Sequence, residues 1–431
     1  MGRRAWLAAA GVVVVVGGGV AGGVALHSRG SGTPEPVAVV SAPRPTAVQV
    51  DVTAQSAAVD AILKRRATAV LENNEAQFLA DVDPKNKLLL AKQKVLFENL
   101  VQFGFVKLDY LQDRPQFEQG LLDKYGPTTY LVSVVMSYQI GGIDDGLVKA
   151  PLGYMFVQRG GRYLLINDTY LDSSLPFGAH KEAWDVGPVL VRRSARALVV
   201  VEQGKAQLAK SILTEAESAV RAVNKLWSAS WRGGGLVIAL DDRRVRIADY
   251  TKPKDAEDFL ATATFVYRTL PGEVQSEGTF GGAYVVVNPR YRDELDARVL
   301  AHEFTHVATA QYGVDAPVWM VEGTAEYIEQ LPMQGERDLD LARYRTMVRS
   351  KYFSKLKALP TDEQFYDTVK SSYPVGWYVV DYIVDKYGAT KLAKVYKELA
   401  RQGFSQNQRD LIFTAQLGRT EAQLFKDLQQ R

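Results

Sequence analysis

Four histidines occur in the 431 residues, and two of them fall in one short stretch, His302-Glu303-Phe304-Thr305-His306. That stretch lies inside a helix expected from about residue 293 to 312, closed by Gly313. Residues four apart on a helix project from one face, so both imidazoles point the same way. Two imidazoles so placed form half of a divalent-metal site. Glu303, beside the first of them, can reach a metal-bound water without itself binding the metal, and would act as general base in a hydrolysis. The chain has no cysteine, which excludes disulfides, thiolate zinc sites and cysteine nucleophiles. Any metal must be held by His and carboxylates.

A further helix, expected after Pro317, reads Val318-Trp319-Met320-Val321-Glu322-Gly323-Thr324-Ala325-Glu326-Tyr327, with Glu322 and Glu326 one turn apart on one face. With the preceding histidine pair, this segment resembles the gluzincin zinc metallopeptidases, most closely the bacterial peptidase MA-like domains. The resemblance spans roughly residues 195 to 431, its specific motifs only 302 to 327. It implies zinc held by His302, His306 and Glu322, and Glu326 as the outer carboxylate that accepts a hydrogen bond from His302. Three protein ligands leave one position open, as a catalytic zinc needs.

The same resemblance implies a donor for the developing oxyanion. No histidine follows His306, so a tyrosine must serve: Tyr373, in Ser371-Ser372-Tyr373-Pro374 just before the next long helix, with Tyr366 as the substitute. Either could instead be a packing tyrosine. Gly281 to Asn288 fits the edge strand that pairs with extended substrate, through the backbone of Gly282, Ala283 and Tyr284; an ordinary sheet strand fits nearly as well. The function implied is zinc-dependent hydrolysis of peptide bonds in a peptide or protein substrate, outside the cytoplasm. The alternative is a catalytically inactive, membrane-tethered binding protein on a peptidase-like scaffold.

The elements that must position these residues follow from periodicity. Apolar positions at helical spacing from Ala54 to Ala80, ended by Asp83-Pro84, read as one long helix, with a second around Val95 to Phe103. Tyr130–Gln139, Gly153–Gln158 and Gly161–Asp168 read as strands broken by turns. That order, over about residues 50 to 180, resembles the cone-shaped domains related to nuclear transport factor 2 and SnoaL-like proteins. No acid–base pair is found in it, so a binding or spacing role is implied. From about residue 190 a second unit begins: strand Ala197–Glu202, helix Ala206–Ser228, strand Gly235–Asp241, then the strand at Gly281 and a mostly helical remainder.

Arg3 and Arg4 precede an uncharged run from Ala5 to Leu26, long enough for a bilayer core and without a good cleavage site. The expectation is a single-pass anchor with the catalytic part extracytoplasmic, or a secreted chain if the segment is cleaved. Residues 27 to 50, with Pro34, Pro36, Pro43 and Pro45, read as an extended spacer. A net charge of +3 without a basic, aromatic-laced face excludes nucleic acid as a partner. The fold class expected is α+β: a transmembrane anchor (1–30), a linker (31–50), a SnoaL-like α+β domain (51–185), and a gluzincin-like domain (190–431) with a small mixed sheet and a mostly helical C-terminal part. His27 and His180 receive no role.

Overall fold

Three helices open the described chain, α1 (Val52–Leu71), α2 (Glu75–Leu79) and α3 (Lys87–Leu100). Asp51 caps the first by accepting the N–H groups of Thr53 and Ala54. The single helix expected over 54–80 breaks at Asn73, which takes a positive φ of 54°, and Asn74 then caps α2. This is a computed structural model, and it describes residues 51–173, 181–227, 231, 234–247, 260–267, 280–331, 338–367 and 369–431.

Next come β1 (Phe105–Gln116), the short α4 (Gln119–Tyr125), β2 (Tyr130–Ile140), β3 (Val148–Arg159) and β4 (Arg162–Asn167). The four strands pair in chain order as an antiparallel meander. β5 (Val189–Arg193), β6 (Ala197–Glu202), α5 (Ala206–Trp227), β7 (Gly235–Ile238), α6 (Asp242–Ile247), β8 (Ala261–Tyr267) and β9 (Phe280–Val287) follow. Their strands form a second sheet in the order β5-β6-β7-β9-β8, parallel at its centre and antiparallel at both margins. The rest is helical: α7 (Ala297–Thr309), α8 (Val318–Glu329), α9 (Asp338–Lys351), α10 (Asp362–Asp367), α11 (Val369–Tyr387), α12 (Ala389–Gln402), α13 (Gln406–Leu417) and α14 (Glu421–Gln430). The class is α+β with two sheets.

The change of sheet falls where the domain boundary was expected, yet the core does not divide there. Strand alternation explains why. On the second sheet Leu198, Val200, Leu236, Ile238, Tyr284 and Val286 face the first unit and join one core with Phe103, Tyr138 and Trp184. Their neighbours Val199, Val201, Val237, Val285 and Val287 face the other way, into the core built by α5, α7 and α11. A sheet covered on both faces has no polar side, so its central strands read as unbroken apolar runs.

A buried polar contact ties the two sheets. The Tyr284 hydroxyl on β9 donates to Asp144 Oδ1 at 3.0 Å, and the Ile140 backbone N–H donates to Asp144 Oδ2 at 2.6 Å. Burial pushes the Asp144 carboxyl from its ordinary 3.8 up to about 7, against the pull of those two donors. Because the folded-state value is raised, stability from this group is greatest below about pH 4 and declines as pH climbs to about 7, by roughly 4 kcal/mol. Asp144→Asn should flatten that decline. Urea unfolding of both proteins at about pH 4 and about pH 8 tests it, and an unchanged pH dependence in the variant would refute it.

The expected transmembrane anchor requires correction. Among the described residues no helix is long and apolar enough to cross a membrane. The longest, α5 with 22 residues and α1 with 20, carry charged residues along their length. The run 5–26, the spacer 27–50, His27 and His180 lie outside the described residues. The anchor and the single-pass membrane placement are withdrawn.

Candidate metal centre

Helix α7 is the platform of the site. Asp296 caps it by accepting the N–H groups of Arg298 and Val299, and Glu215 of α5 accepts the Ala297 N–H at 2.9 Å. Phe304 lies across β7 at Gly235, where an added Cβ would stand 2.3 Å from the ring. These contacts fix the rotation of α7 and turn His302 and His306 toward α8. Helix α8 follows Pro317, its Val318 N–H held by Asp362 of α10 at 2.7 Å.

The His302 and His306 ring centroids are 5.0 Å apart. Their Nε2 atoms lie 3.3 and 3.5 Å from Glu322 Oε2, all three residues are buried, and their ligand atoms lie within 4.8 Å of one another. This group could hold a metal ion. Glu303 is equally buried but stands outside the converging set.

Among the described residues no hydrogen bond closes on His302 Nδ1 or Nε2, His306 Nε2, or either carboxylate oxygen of Glu303 and Glu322. Buried polar atoms rarely go unpartnered, because each costs about 1–3 kcal/mol. A cation accepted by two imidazoles and a carboxylate would satisfy most of them together. The donor set therefore fits a divalent metal.

Charge supports the division of roles. Burial alone would raise the Glu322 carboxyl, but His306 and His302 outweigh it and hold it below the usual range. Burial would lower the His302 imidazole, but the carboxylates of Glu322, Glu329 and Glu303 outweigh it and raise it well above 6.5. Glu303 is pushed up to about 8 by burial, with Glu322 adding and His302 and the Ala263 backbone opposing. A neighbouring divalent cation would draw that value down toward a working base.

Glu326, expected as the outer carboxylate, places Oε1 3.6 Å from His302 Nδ1. Glu329 sits as close, with Oε2 at 3.5 Å, and its other oxygen accepts from Arg298 at 2.8 Å. Glu329 escaped the sequence reading, although its place seven residues after Glu322 puts it on the same helical face. Burial and the Glu329 charge push Glu326 up to about 8. Burial would raise Glu329 also, but His302 and Arg298 outweigh it and keep it low.

Tyr373 is not ahead of a helix, as its Ser-Ser-Tyr-Pro context suggests, but inside α11, with Pro374 in the helix as well. Its buried ring stacks at 27° against His302, centroids 6.2 Å apart. Burial, then the Glu322 charge, raises its hydroxyl well above the usual value. Tyr366 is 44% exposed, and burial of its hydroxyl and Glu322 raise it too. Both tyrosines flank the site, Tyr373 from within and Tyr366 from the rim.

α11 reaches the site because α8 and α11 cross at two glycines. A Cβ on Gly323 would stand 2.4 Å from the Gly376 carbonyl, and one on Gly376 would stand 2.8 Å from the Trp319 carbonyl oxygen. Gly323→Ala should push the helices apart and cost about 1–3 kcal/mol. Thermal unfolding measures it, and an unchanged melting temperature would show that the crossing yields without strain.

The substrate strand needs a second correction. β9, which carries Gly282, Ala283 and Tyr284, is not at the sheet edge: β8 covers it, pairing Val266 with Gly282, Phe265 with Ala283 and Thr264 with Tyr284. The edge is β8. Its sequence, Ala261-Thr262-Ala263-Thr264-Phe265-Val266-Tyr267, alternates with period two and ends in β-branched and aromatic residues, the signal by which it could have been found. No family model and no curated protein matches this chain.

Proposed function

We propose that the chain is a zinc-dependent hydrolase of peptide bonds with a gluzincin arrangement of ligands. The observation that carries this reading is the convergence of His302, His306 and Glu322 in a buried site whose ligand atoms have no hydrogen-bond partner among the described residues, with Glu303 beside them. A zinc ion held there would supply a Lewis acid and a water whose pKa is lowered toward about 7.

The chain's residues do the rest. Glu303, buried beside His302 and facing the Ala263 backbone of β8, takes a proton from the attacking water and returns it to the leaving amine. Tyr373, packed on His302, offers its hydroxyl to the carbonyl oxygen as negative charge grows there. Among the described strands β8 ends the sheet, and extended substrate backbone can add along it as a further strand.

The test is cleavage of a mixed peptide library by zinc-loaded protein, read by mass spectrometry. New termini that vanish with a chelator and return with zinc support the reading. A protein that binds zinc yet yields no fragment would point instead to a binding role on an inactive scaffold.

A further inference from the structure

We infer that Glu329, clamped by Arg298, is the positioning residue that orients the His302 imidazole, an inference that rests on the metal reading above. Two carboxylates approach His302 Nδ1 almost equally, Glu329 at 3.5 Å and Glu326 at 3.6 Å. Distance does not choose between them; the surroundings do.

Arg298 stands one helical turn before His302 on α7, and its guanidinium donates to Glu329 Oε1 at 2.8 Å while Glu329 Oε2 faces the imidazole. A closed ring results: the α7 backbone, Arg298, Glu329 of α8, His302, and back to α7. Arg298 and Glu329 are about a quarter and an eighth exposed, so their pair is shielded from water. Among the described residues no Lys or Arg lies within ion-pair distance of Glu326; its ion pair is with His302, and Glu329 and Arg298 act on its charge only from further off. A carboxylate fixed by a charge-assisted bond holds its second oxygen in one place; an unclamped one does not. Glu329 also lies on the last turn of α8, seven residues from Glu322, so one face of one helix supplies both a ligand and the group that steers another ligand.

A nitrogen given to a metal through Nε2 leaves Nδ1 as the protonated one, and the carboxylate that accepts its proton fixes ring orientation and basicity. Removing such a partner typically weakens metal binding about 10- to 100-fold.

The experiment is zinc competition against a chromophoric chelator on the full chain. Glu329→Gln and Arg298→Met should each weaken zinc binding by about 10- to 100-fold, and the double variant should lose little more than either, because they act through one ring. Glu326→Gln should weaken it by less than about tenfold. Arg298→Lys keeps a cation and guards against misfolding as the explanation: it should recover part of the affinity. Cobalt-substituted samples give a second readout, since a displaced imidazole shifts the visible ligand-field bands in Glu329→Gln and leaves them unmoved in Glu326→Gln. Loss confined to Glu326→Gln, additive losses in the double variant, or full affinity in Glu329→Gln would each overturn the inference. An unmodified protein that binds no zinc would overturn the metal reading itself, and this inference with it.

Discussion

Glu303→Gln should keep its zinc and lose nearly all peptide hydrolysis. The amide is isosteric with the carboxylate, so packing in the buried site is retained, and Glu303 is not among the converging ligand atoms. What disappears is the ability to take a proton. General-base assistance contributes about 10²- to 10⁴-fold, and the loss should fall on kcat. Burial pushes this carboxyl up to about 8, and a cation held by its neighbours would bring that value down into the range of a base that exchanges protons near neutrality. Hydrolysis equal to that of the unmodified protein would remove Glu303 from the mechanism. Zinc lost along with activity would make it a structural neighbour of the ligands.

Tyr373→Phe has the next largest expected effect. The ring stays, so its stacking on His302 and its contact with Phe365, centroids 5.0 Å apart, are kept. The lost hydroxyl is the proposed donor to the oxyanion. Removing one such donor costs about 10²- to 10³-fold, or about 3 to 4 kcal/mol, with KM little changed because the contact is made in the transition state. Near-normal kcat would move the role to Tyr366, which stands on the rim of the same site. A collapse in melting temperature would mark Tyr373 as a packing residue, and the melting curve belongs in the same experiment.

The residues that converge at the candidate site were legible in the sequence because their helical faces follow from local spacing, while the part given to Glu322 came from the family resemblance. His302 and His306 share one turn of α7, and Glu322 and Glu326 one turn of α8, so spacing fixed the faces before any packing was known. What spacing cannot convey is how two helices meet. Arg298 meets Glu329 only because α7 and α8 cross at a particular height, and Tyr373 reaches His302 only because Gly323 and Gly376 let α8 and α11 nearly touch. Tyr373 reads as lying ahead of a helix because Pro374 after it resembles a first helical position, whereas α11 begins at Val369, before both.

The sheets were less readable. β1 alternates only over Lys107–Leu111 and then runs through Gln112, Asp113, Arg114 and Pro115, which break the apolar alternation, and it is held by cross-strand pairing with β2. β9 reads as an edge strand because its glycine start invites another chain. That chain is β8 of the same protein, which pairing across the sheet reveals and periodicity in β9 does not. The apparent independence of two units dissolves for a related reason: alternation along β6, β7 and β9 commits each strand to two cores at once.

Metal content tests the central claim most directly. Elemental analysis of the purified full chain, dialysed against trace zinc, should find one zinc per protein molecule. His302→Ala, His306→Ala and Glu322→Ala should each find almost none, in samples whose circular dichroism matches the unmodified protein, because two remaining ligands hold the ion too weakly. Zinc absent from the unmodified protein, or retained at full stoichiometry in His306→Ala, would contradict the account.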